Sequence, residues 1–100
     1  NENILKLIIN LNKTEILDWY FDNFKFDNLH FDNGLLYSTS IILKNIDIIK
    51  ILYENDNLEE FNNNVINYLK LSSKIKDISI FIWLSDKIND LDYTLENNVL

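Results

Sequence analysis

Apolar residues come in pairs along this chain, and the pairs recur four positions apart. Ile4-Leu5 is followed by Ile8-Ile9, Ile16-Leu17 by Tyr20-Phe21 and Phe24, and Ile48-Ile49 by Leu52-Tyr53. At 3.6 residues per turn, this i, i+1, i+4, i+5 rhythm puts both members of each pair on one stripe of an α-helix. The strict alternation of a half-buried strand occurs only briefly, over Ile78-Ser79-Ile80. The pattern predicts six helices, at 3–10, 13–23, 35–44, 46–55, 64–74 and 76–88. Lys25–Asn33 and Asp56–Asn62 cluster Asn, Asp and Glu, break the rhythm and read as loops. Asn33-Gly34 is a turn dipeptide in which Gly34 supplies positive φ without steric cost. Asn12 and Thr14 are placed to cap the second helix, and Asn63 or Asn64 the fifth.

The helices recur in units. Glu15 to Asn23 lines up with Asp47 to Asn55 and, more loosely, with a third copy from Asp77 to Leu84, so the acidic starts recur at nearly even intervals. A second element repeats alongside them at a similar interval: Phe31-Asp32-Asn33-Gly34-Leu35-Leu36, then Phe61-Asn62-Asn63-Asn64-Val65-Ile66, then Leu95-Glu96-Asn97-Asn98-Val99-Leu100. Each unit is loop, helix, short turn, helix. Such a unit resembles the ankyrin repeat, whose period is about 33 residues and which combines a turn with two helices. The run Leu5-Lys6-Leu7-Ile8-Ile9-Asn10-Leu11-Asn12-Lys13-Thr14-Glu15-Ile16-Leu17 carries the resemblance best. It has a Leu, a buried pair, a helix break and an acidic start to the second helix. Thr39-Ser40 occupies the small-residue slots of the second unit. The family's T-P-L-H tetrapeptide is missing, and Asn12 or a lysine stands where the family has a glycine between its helices.

The resemblance implies an all-α fold, a short α-solenoid of stacked helix-turn-helix repeats forming one domain over 1–100. Its repeats would cover approximately 1–30, 31–60 and 61–94, with the start of another at 95–100. No unit of this kind buries its apolar stripe alone, and about three must stack to be stable. The repeat-like opening at the end, and the lack of an initiator Met, suggest a piece of a longer array.

Composition limits what such an array can do. Asn, Ile and Leu number 17, 16 and 16, while Ala, Arg, Gln, Pro, Met and Cys are absent, a bias expected of an AT-rich genome. Sixteen acidic residues face nine lysines, for a net charge of −7. Nucleic-acid binders carry the opposite sign and rely on Arg, so neither nucleic acid nor an anionic membrane surface is an expected partner. The apolar run from Ile78 to Leu84 falls far short of the ~20 residues that span a bilayer. With no cysteine there are no disulfides, thiolate metal sites or thiol nucleophiles, in keeping with an intracellular, cytoplasmic setting.

Catalytic material is sparse. His30 is the only histidine, in a loop with Asp27, Asn28 and Asp32. It offers a general base or a metal ligand beside carboxylates, against the simpler reading of a solvent-exposed residue at a loop tip. No serine has a second histidine to complete a triad. Asp86, Asp90, Asp92 and Glu96 lack the register of a calcium loop: counted from Asp90, the sixth position is Leu95 rather than Gly. No enzyme activity, cofactor or metal is therefore expected. Trp19, Trp83, Tyr20, Phe21 and Phe24 fall at helical spacing and read as core, whereas Phe26 and Phe31 suit either packing or a partner.

The expected function is protein–protein recognition. By resemblance to ankyrin arrays, the binding surface comprises loop tips and first-helix faces: Lys25, Asp27, Asn28, His30 and Asp32 from the first loop, Asn57, Glu59 and Glu60 from the second, and Tyr37, Asn67 and Lys70 from the helices. The set holds more acid than base, which predicts a basic or mixed polar protein partner. The alternative is a small acidic all-helical inhibitor, like an immunity protein or antitoxin, blocking a basic site.

Overall fold

A computed structural model describes the backbone of residues 1–99 and the side chains of residues 1–88. The described chain is all-helical: α1 (Glu2–Asn10), α2 (Thr14–Asn23), α3 (Phe31–Ile42), α4 (Ile46–Glu54), α5 (Leu58–Ile75) and α6 (Ile78–Val99). The doublets form these helices because each stripe has a neighbour to pack on. α1 packs on α2 and α3, α3 on α4 and α5, and α5 on α6, while α2 lies against α4. Tyr53 of α4 meets Trp83 of α6 edge to face, with ring centroids 5.3 Å apart. The three helix pairs share one core that includes Leu5, Leu17, Ile41, Ile49, Phe61 and Leu84. The radius of gyration is 13.7 Å, with extents of 44 × 29 × 21 Å.

The turns inside the hairpins repeat one local solution. Asn12, Lys44 and Lys76, evenly spaced along the chain, all adopt left-handed backbone, with φ of 58°, 58° and 59°. At each, the residue's N–H donates three positions back (to Ile9, Ile41 and Ser73), and the next N–H donates five positions back (to Ile8, Ser40 and Ser72). This is the Schellman closure of a helix end, which satisfies carbonyls that have no partner within the helix. Asn tolerates left-handed backbone; for Lys44 and Lys76 the same φ costs about 1 kcal/mol each, offset by those hydrogen bonds. Asn45 and Asp77 then cap α4 and α6 by accepting from the N–H of Ile48 and Ile80. Asn45 also reaches the preceding turn, donating to Asn12 Oδ1 at 2.7 Å and Thr14 Oγ1 at 3.0 Å. Asp77 therefore occupies the cap position of Lys13 and Asn45, earlier in the unit than the alignment of acidic starts places it.

Two segments differ from the expected elements. Asp56–Asn62 is not a loop: only Asn55, Asp56 and Asn57 lie between α4 and α5, and α5 begins at Leu58. Asn57 caps α5 by accepting from the Glu60 N–H, and Glu59 and Glu60 suit the positive end of the helix. Phe61, Val65, Tyr68 and Ser72 carry one buried stripe from that start. The other segment is the entry to α3, where Asp32, Asn33 and Gly34 are consecutively left-handed, with φ of 51°, 60° and 80°. Regular right-handed helix begins at Leu35. The repeat opening read at 95–100 lies outside the residues whose side chains are described, as do Asp90, Asp92 and Glu96.

Candidate functional site

The loop after α2 folds back because His30, at its end, is anchored in the interior. The His30 side chain is 5% exposed and that of Asp56 is 1% exposed. His30 Nε2 lies 2.6 Å from Asp56 Oδ2, and His30 Nδ1 lies 2.5 Å from Tyr68 Oη. Tyr37 donates its hydroxyl to the same Asp56 oxygen at 2.6 Å. Asp56 can only accept, so Nε2 carries its hydrogen; Nδ1 accepts from the Tyr68 hydroxyl when the ring is neutral and donates to it when charged. The imidazole stacks on the Tyr37 ring, with centroids 5.0 Å apart and planes at 4°, and Tyr37 stacks in turn on Tyr68 at 4.7 Å. The first loop, α3, the α4–α5 connection and α5 are tied together by this one polar knot.

These contacts correct two candidate surface residues. His30 is not a solvent-exposed loop tip, and Tyr37 is fully buried and presents nothing to a partner. The local sequence around His30 is polar and looks like a solvated loop. What buries the ring is the Asp56 carboxylate and the Tyr68 phenol, both distant along the chain, and spacing within the sequence does not reveal them. Both ring nitrogens are taken up by protein partners, so neither is free for a substrate or an ion. Among the described residues, no group of three or more His, Asp or Glu side chains is placed to hold a metal.

Burial raises both phenols in pKa. Tyr37 lies well above the ordinary tyrosine value, first through desolvation and then through the charge of Asp56 and the hydrogen bond to it; Tyr68 is raised by desolvation and then by the Asp56 charge. A phenol whose pKa is raised on folding stays protonated in the native state while the unfolded chain ionises. Its contribution is intact below the ordinary value near 10 and is lost as pH climbs toward the folded value. Stability should therefore fall above about pH 10, by up to about 1.4 kcal/mol per pH unit for each tyrosine. Urea titrations at pH 8, 10 and 11 measure this, and Tyr37→Phe should make the alkaline decline shallower.

The other candidates are on the surface. Lys25, Asp27, Asn28, Asp32, Asn57, Glu59, Asn67 and Lys70 are exposed, and Glu60 is half-buried. Asp32 is held by Lys6 of α1 at 3.0 Å. Lys25, Asp27 and Asn57 converge on one cleft of about 410 Å³, whose walls add Phe21, Phe24, Phe26, Asn55 and Asp56. Glu60 leaves its Oε2 buried without a hydrogen-bond partner. Lys70 lines a different cleft on α5 and α6, with Leu69, Ser73, Lys74 and Phe81. The helical spacing places Phe21 and Phe24 in the core stripe; in the fold Phe24 is exposed and Phe21 half-buried, because α2 ends at Asn23 and the chain turns extended at Phe24. Asn55 and Asp56 carry no sequence signal as cleft residues. Comparison with protein-family models, curated proteins and solved structures gives no match.

Proposed function

We propose that this chain is a non-catalytic protein-recognition module, an ankyrin-like stack of three helical hairpins that grips a basic or mixed polar partner at its loop tips. The stack is supported by the even recurrence of the left-handed turns at Asn12, Lys44 and Lys76, at an interval close to the ankyrin period. The observation that carries the binding role is the cleft where the first loop meets the α4–α5 connection. Three phenylalanines wall it, and Asp27 contributes an exposed carboxylate, that of Asp56 being taken up by His30 and Tyr37. Aromatic faces beside a carboxylate suit a lysine or arginine side chain, through cation–π attraction and charge pairing. The net charge of −7 favours the same sign of partner. Lys25 at the rim suits a partner with some acidic groups as well.

No helix among the described residues is long and apolar enough to cross a membrane. With no cysteine in the chain, a reducing cytoplasm suits the module, and no cofactor or metal enters the reading. A photo-crosslinking residue at position 27 or 57 tests the reading in cell extract, against the same residue at 47 or 50 on the exposed side of α4. The expected result is one shared adduct from 27 and 57 only, lost as salt shortens the Debye length from about 10 Å at 0.1 M to about 3 Å at 1 M. Equal labelling from both faces, or salt-insensitive labelling, contradicts it.

A further inference from the structure

The regular recurrence of the turns lets corresponding positions be compared across the hairpins. Ile16, Ile48 and Ile80 correspond, as do Ile4, Leu36 and Tyr68. In the second and third hairpins these side chains are buried, yet Ile4 is 45% and Ile16 47% exposed. Trp19 is 57% exposed, whereas its counterparts Ile51 and Trp83 are half-buried. These are the positions that α3–α4 and α5–α6 lay against the preceding hairpin, and no hairpin among the described residues covers them on the first. The opposite face shows the reverse order. Leu17 and Ile49 are buried but Phe81 is exposed, and Ile9 and Ile41 are buried but Ser73 is exposed. Phe81 lies between two apolar clefts of about 240 and 470 Å³.

We infer that the exposed end face of the first hairpin docks on the exposed end face of the third hairpin in a second copy of this chain, head to tail. The contact continues the interface already made twice inside the molecule, with the same kind of face on each side. Charge favours this pairing over a face meeting its own copy. Residues 1–23 hold four acids and two lysines, whereas residues 58–88 balance four lysines against four acids. Lys70, Lys74 and Lys76 line the receiving clefts, while Glu15 and Asp22 flank Ile16 and Trp19 on α2. A face meeting a different face does not close on itself, so assembly lengthens with concentration rather than stopping at a dimer. The inference rests on the proposed stack but not on the tip cleft, so loss of cleft binding leaves it standing, whereas a closed bundle removes both.

Analytical ultracentrifugation of the full chain from micromolar to millimolar concentration tests this. The average mass should climb past that of a dimer. Trp19→Glu and Phe81→Glu should each weaken association by at least about tenfold, as expected for a central aromatic anchor. Mixed together, the two variants should form a species capped at two chains, because one intact face of each kind remains. Ile78→Glu, at a 73% exposed position beside Phe81, repeats the third-hairpin arm without touching the core. A chain that stays monomeric throughout overturns the inference. So does a dimer that Trp19→Glu abolishes while both Phe81→Glu and Ile78→Glu leave it intact, since that is first-hairpin faces pairing with each other.

Discussion

Asp56→Ala should lower the free energy of unfolding by about 3–5 kcal/mol, the range for removing one partner of a buried charged pair. One carboxylate oxygen accepts from both His30 and Tyr37, so a single substitution leaves an imidazole N–H and a phenol O–H buried without acceptors. Each orphaned donor carries a desolvation penalty of about 1–3 kcal/mol. Asp27→Ala, in the same loop region but exposed, should change stability by less than about 0.5 kcal/mol. Urea unfolding followed by circular dichroism at pH 7 compares the two. Similar small effects would mean that His30 is not held as described. A domain of this size has only about 5–15 kcal/mol in total, so Asp56→Ala removes a large share of it.

Gly34→Ala is the second large effect, at about 2–4 kcal/mol. Gly34 sits at φ 80°, the third of three left-handed residues, where any Cβ is strained. A Cβ built there would lie 2.7 Å from Cε1 of Tyr68 and closer still to its hydroxyl. Tyr68 cannot easily withdraw, because its hydroxyl is bonded to His30 and its ring stacks on Tyr37. Alanine at Asn33 makes the comparison: φ there is 60°, so it meets the backbone strain alone and should cost about 1 kcal/mol. Thermal denaturation of the two variants separates strain from overlap. Equal losses would show that the approach of Tyr68 to Gly34 carries no energy.

The helices were legible because their signal is local. Ile48-Ile49 and Leu52-Tyr53 announce a stripe whatever they pack against, and Asn33-Gly34 announces a left-handed turn. The knot around His30 was not legible, since its partners come from α3, the α4–α5 connection and α5, and nothing near His30 points to them. The start of α5 was masked by composition. Asn57, Glu59, Glu60 and the following asparagines look like loop, although the same residue types favour a helix N-terminus and Phe61 begins the buried stripe. The shift in the third unit has a similar origin. Asp77 resembles the acidic starts Glu15 and Asp47, but the closure at Lys76 makes it the cap instead. Lysine at positive φ in Lys44 and Lys76 has no local signature; only the equal spacing from Asn12 reveals it.

Three short hairpins have much the same radius of gyration whether stacked in a row or wrapped around one centre, so distances between the turns test the proposed stack more directly than scattering does. The chain contains no cysteine, so cysteines placed at Asn12, Lys44 and Lys76 in pairs can carry spin labels for dipolar spectroscopy. Helices pack about 8–10 Å apart, so the 12–44 and 44–76 pairs should show similar separations and the 12–76 pair about twice that distance. A 12–76 separation no longer than either neighbouring pair would contradict the stack and indicate a closed bundle.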